Sequence, residues 1–82
     1  MKGTIIAINP RTQFHSVRTD DGDITVFELI DSHHLAIGSA VSGELHTLGS
    51  ETLTDMGDGM TFDAFIQDAY CSETRARELL KR

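Results

Sequence analysis

The sequence predicts a mainly β fold: a small antiparallel barrel of five or six strands followed by a short C-terminal helix. Three observations carry that prediction. An Asp-Gly pair, Asp21-Gly22, sits between two strand-like stretches, which is a strong short-range hairpin signal. Short β-branched or alternating segments recur along the chain, separated by turn residues. With 82 residues, five or six short strands hide their edges best by closing on themselves.

"GTIIAIN" is short and β-branched, so Gly3–Asn9 reads as the first strand. Asn9-Pro10 ends it, because Pro lacks a backbone donor. "QFHSVRT" is the second strand and "DITVFELI" the third. With Asp21 and Gly22 as a two-residue turn, Thr19 faces Ile24, Val17 faces Val26 and His15 faces Glu28. The opposite side then carries Arg18 with Thr25, Ser16 with Phe27, and Phe14 with Leu29. Both sides are partly apolar, so one is expected to line the barrel and the other to meet something else.

"DSHHL" reads as a loop or short helical turn, and "AVSGELH" as a fourth strand interrupted at Gly43. "ETLTD" is a short extra strand, "MGDGM" a turn, and "TFDAFIQD" the last strand. Phe62, Ala64 and Ile66 alternate there with Asp63, Phe65 and Gln67. "SETRARELLKR" is a helix capped by Ser72, with Glu73 at its positive end and Lys81 and Arg82 at its negative end. Ala76, Leu79 and Leu80 form one apolar stripe on it. The expected division is a barrel over residues 1–71 and a helix over 72–82.

Composition narrows the function classes. Hydrophobic content of 39% and charged content of 24% suit one soluble globular domain. No apolar run approaches the ~20 residues of a membrane-spanning helix. A charged leader followed by a long apolar stretch is not seen, and the single cysteine, Cys71, allows no internal disulfide. A cytoplasmic protein without membrane partners is expected. The net charge is −6, unevenly spread. Residues 72–82 hold four cations and two acids, net +2, while residues 1–71 hold three cations and eleven acids, net −8. Polyanion binding rests on clustered Lys and Arg, which the body of the chain lacks.

"MKGTIIAINP", "FHSV", "DDG", "TVFEL" and "LAIGSAVSG" together resemble the cold-shock domain, a five-stranded OB-fold barrel. The likeness covers roughly residues 1–45 and uses Gly3, Asn9, Asp21-Gly22, Leu35, Gly38 and Val41. That resemblance implies binding of single-stranded RNA or DNA, with bases stacked on aromatics of the second and third strands. Placed on this chain, the family's Trp falls at Ala7, its strand-two aromatics at Phe14 and Ser16, and its strand-three Phe and His at Phe27 and Leu29. Five stacking side chains are thus reduced to two. The nucleic-acid-binding residues implied are Lys2, Arg11, Phe14, Arg18, Phe27 and Leu29. The expected function is a small non-catalytic binding protein that holds single-stranded nucleic acid weakly. The alternative is a protein-interaction module on a barrel that has lost nucleic-acid binding, with Phe14 and Phe27 covered by the helix.

No cofactor, metal site or catalytic residue is expected. Asp31, His33, His34 and His46 lack a helical or knuckle ligand spacing. Asp20, Asp21 and Asp23 look like a cation loop in miniature but read as hairpin chemistry. Cys71 has no evident base with a third orienting group.

Overall fold

A computed structural model describes all residues, Met1–Arg82. Six strands appear in the order β1 (Lys2–Asn9), β2 (Phe14–Thr19), β3 (Ile24–Leu29), β4 (Ala40–Ser42), β5 (Gly49–Asp55) and β6 (Thr61–Cys71), followed by α1 (Glu73–Leu80). The strands close into an antiparallel barrel in the spatial order β1-β2-β3-β6-β5-β4, with β4 returning to β1. The expected mainly β barrel with one terminal helix is what the chain forms. "AVSGELH" is only half a strand: β4 stops at Ser42, and Gly43 leaves the ladder with φ 143°. A Cβ there would come within 2.6 Å of Leu53 Cδ2, so the close approach of this loop to β5 needs glycine.

The register of the β2–β3 hairpin differs from the expected one by a single residue. Arg18 pairs with Ile24, Val17 with Thr25, Ser16 with Val26, His15 with Phe27 and Phe14 with Glu28. The loop holds three residues, Asp20, Asp21 and Gly22, and the Thr19 N–H donates to Asp23 O at 2.8 Å. Gly22 adopts φ 90° and its N–H donates to Thr19 O at 2.9 Å. This is the turn-plus-left-handed-residue loop that three-residue hairpins favour. A one-residue slip exchanges faces, so the expected grouping of Phe14, Ser16, Phe27 and Leu29 on one side is corrected. His15, Val17, Thr25, Phe27 and Leu29 point inward. Phe14, Ser16, Arg18, Ile24, Val26 and Glu28 form the outer face.

The barrel interior is filled by Ile5, Val17, Phe27, Leu29, Leu35, Val41, Leu45, Leu53, Phe62, Ala64 and Ile66. Phe27 sits at its centre, stacked on His15 at 5.1 Å and tilted against Phe62 at 6.0 Å. Thr25 is fully buried, and its hydroxyl donates to Leu45 O at 2.8 Å, which ties the loop after β4 to the hairpin.

A second, smaller cluster lies outside the barrel wall. Ile24, Val26, Ala76 and Leu79 are buried together, with Phe14, Cys71 and Leu80 packed against them. The helix starts where expected: the Ser72 side chain accepts from the Arg75 N–H at 3.1 Å. At the other end, Asn9 Nδ2 donates to the Leu80 carbonyl, so the residue that closes β1 also satisfies one of the last helical carbonyls. Thus α1 is held to the outer face of β1, β2 and β3 by an apolar stripe and a polar pin.

Candidate functional site: a groove beneath the C-terminal helix

Between α1 and the outer face of β1 and β2 runs an open groove of about 430 Å³. Its apolar lining comes from Ile6, Ala7, Ile24, Ala76 and Leu80. A bulge in β1 creates half of this surface. The pairing of β1 with β2 slips between Ile5 and Ala7, leaving Ile6 as an extra residue. Ile5 points into the core, Ile6 is exposed on the outside, and Ile8 returns to the core. Without the bulge, strict alternation would leave Ile6 and Ile8 on the same side.

The rim of the groove is charged. Arg18, Arg77 and Lys81 line it together with Glu73 and Ser16. Arg18 Nη2 lies 3.2 Å from Glu73 Oε1, and Arg77 Nη2 lies 3.6 Å from Glu73 Oε2. Both pairs are open to solvent and are worth little to stability. One carboxylate thus faces three cations, and the groove keeps a positive excess in a chain of net charge −6. Arg11 stands near the same end, its guanidinium donating to Arg82 O at 3.1 Å.

The six residues implied by the family resemblance are scattered by the fold. Phe27 is 0% and Leu29 4% exposed, both inside the barrel, so neither offers a face to a base. The physical reason is the three-residue hairpin loop, which turns them inward. Phe14 is on the outer face but half-buried in the cluster beneath α1. Arg18 reaches the groove and Arg11 its end, while Lys2 lines a second depression with Thr4, Thr19 and Asp20, which Arg18 also borders. Ile6 and Arg77 were not singled out from the sequence, and Ala7 and Lys81 were read only as the family's Trp position and a helix-end cation, not as groove residues. Their one advance signal was the cationic balance of residues 72–82 beside the apolar stripe.

Two clusters of carboxylate and imidazole groups lie elsewhere. His33, Asp55 and Asp58 place ligand atoms within 4.8 Å of one another, as do Asp21, Asp23 and His46. In the first, His33 Nε2 bonds Asp55 Oδ2 at 2.9 Å, and Asp55 Oδ1 accepts from the Gly57 N–H at 2.8 Å. The hydrogen bond from His33, then that from Gly57, holds the Asp55 carboxyl below the usual carboxylate range. His33 is stacked on Phe62 at 5.1 Å, which fixes its ring. These histidines are brought to carboxylates across the fold, a proximity that linear spacing does not reveal.

Cys71 is half-buried beside Asp68, and burial, followed by that carboxylate, pushes its thiol up to about 11. A group so firmly protonated is a poor nucleophile at neutral pH.

No family model, curated protein or solved structure matches this chain. The resemblance of residues 1–45 to the cold-shock domain therefore stands on those residues alone.

Proposed function

We propose that this chain is a non-catalytic, cytoplasmic protein-binding module whose groove beneath α1 docks an acidic peptide segment carrying an apolar side chain. The observation that carries this reading is the pairing of an apolar floor with the chain's scarce cations. Of seven Lys and Arg residues, Arg18, Arg77 and Lys81 line this one groove and Arg11 and Arg82 adjoin its end. The apolar floor supplies burial, and the cationic rim selects and steers a partner of opposite charge. Partners as acidic as the rest of the chain are repelled elsewhere, so charge also sets where docking occurs.

Single-stranded nucleic acid is the second reading, favoured by the same cations and by the family resemblance. It is weakened by the burial of Phe27 and Leu29, because base stacking supplies ~1–3 kcal/mol per base in binders of that kind.

The test compares two probes on the full chain. One is a peptide with a single Leu flanked by Glu residues; the other is a labelled oligothymidylate. Backbone amide spectra should move at Ile6, Ala7, Ala76 and Leu80 with the peptide. Charge reversal by Arg77→Glu with Lys81→Glu should abolish the shift. Oligonucleotide binding that falls linearly with log salt, together with an inert peptide, would transfer the groove to the nucleic-acid reading.

A further inference from the structure

The tip of the β2–β3 hairpin meets the loop between β4 and β5 at a point where one polar atom has no partner. His46 Nε2 is shielded from solvent and makes no hydrogen bond. Asp23 Oδ2 stands 3.2 Å from it, but out of line for a hydrogen bond. Asp21 brings a third ligand atom, and all three lie within 4.8 Å of one another. A shielded imidazole nitrogen with no aligned hydrogen bond, held 3.2 Å from a carboxylate oxygen, requires an explanation.

The surroundings hold this nitrogen where it is. The Tyr70 ring packs on the imidazole at a centroid distance of 4.1 Å. Tyr70 itself has φ 56°, an unfavourable backbone conformation for an aromatic residue, in a stretch where β6 slips register against β3. The backbone N–H of His46 donates to Glu44 Oε1 at 3.2 Å. Asp21 and Asp23 bring two carboxylates of one turn to this nitrogen. The neighbouring cation does not answer them: Arg18 is engaged by Glu73 at 3.2 Å and the Gly22 carbonyl at 3.4 Å.

We infer that Asp21, Asp23 and His46 form a binding site for one divalent transition-metal cation. A cation between the three would take the Nε2 lone pair and offset the repulsion between the two carboxylates. One imidazole nitrogen and two carboxylate oxygens suit Zn²⁺ and its neighbours better than Ca²⁺ or Mg²⁺, which prefer all-oxygen shells. Asp21 is exposed at the hairpin tip, so its side chain is free to swing onto the ion. Water completes the shell. The other mixed cluster has no such vacancy in its bonding, since His33 Nε2 is already bonded to Asp55 at 2.9 Å. It serves as an internal control.

The experiment is a calorimetric titration of the untagged full chain with ZnCl₂, with imidazole nitrogen spectra recorded in parallel. One equivalent should bind, with the His46 Nε2 resonance displaced and that of His33 unmoved. Asp21→Asn combined with Asp23→Asn, at an exposed turn, should weaken binding about tenfold or more, a loss at least as large as removal of an outer-shell partner. His46→Gln should do the same, and His33→Gln should leave the isotherm unchanged. If His46→Gln fails to fold, the hairpin variant decides alone. No bound equivalent, an unperturbed His46, or equal losses at His33 and the hairpin would each overturn the inference. The first of these assigns the orphaned nitrogen to an ordered water.

Discussion

Replacing Phe27 and Phe14 by Ala, each alone and each together with Leu79→Ala, tests the hairpin register directly. Phe27 is fully buried and contacts the rings of His15 and Phe62, so its removal should cost ~3–5 kcal/mol, the range for a core Phe. Phe14 is half-buried on the outer face, and its loss should cost about half of that, roughly 1.5–2.5 kcal/mol. For a domain of this size, 1 kcal/mol corresponds to about 4–8 °C in Tm. Phe14→Ala should therefore lower Tm by roughly 6–20 °C, and Phe27→Ala by more. The coupling is the sharper measure. Phe14 and Leu79 belong to one cluster, and their double mutant should depart from additivity by ~0.5–3 kcal/mol. Phe27 and Leu79 belong to different clusters on opposite sides of the barrel wall, and their costs should add within ~0.5 kcal/mol. Urea unfolding of the wild type, the three single variants including Leu79→Ala, and the two double variants, followed by fluorescence of Tyr70 or by circular dichroism, gives all six free energies. Coupling of Leu79 to both Phe14 and Phe27 would restore the two-residue turn, which puts the two rings on one face, and would refute the face assignment.

Two further outcomes follow from the buried titratable groups. Burial lowers the pKa of His15 below 6.5, outweighing the opposing effect of its hydrogen bond to the Gln13 carbonyl. The unfolded chain then binds a proton that the folded chain resists, so this contribution to stability is complete above pH 6.5 and is lost as pH falls toward the folded pKa. His15→Phe, which keeps a ring against Phe27, should flatten the stability profile in that window, as read by urea midpoints from pH 7.5 to pH 5. Cys71, with its thiol raised to about 11, should react with iodoacetamide far more slowly in the native protein than in urea at the same pH. Equal rates would show that burial does not protect it.

The local elements were legible because their signals are local. Asn9-Pro10 closes β1, Ser72 caps α1, and the alternation of Phe62, Ala64 and Ile66 marks the inward face of β6. The "MGDGM" turn, from Met56 to Met60, joins β5 to β6 as expected. The hairpin at Asp21-Gly22 was visible as well, but its loop length was not. Two-residue and three-residue loops both accept an Asp-Gly pair, and the choice decides whether Phe14 and Phe27 share a face or are divided between the outer face and the core.

What the sequence determined by itself was a small mainly β chain with a capped, amphipathic, cationic terminal helix. Propensity, turn chemistry and charge are properties of a residue and its near neighbours, and they survive in one dimension. Only the tertiary structure decided the rest. The bulge at Ile6 opened an apolar floor on the outside of β1, and α1 came down beside it rather than elsewhere. The close approach of His46, 23 positions along the chain, to Asp23 arose because barrel closure brings the loop after β4 against the first hairpin. Register shifts and loop-to-loop approaches are set by how the whole core fills. Few residues along the chain carry that information singly, so the face of each ring and the company of each histidine had to await the closed barrel.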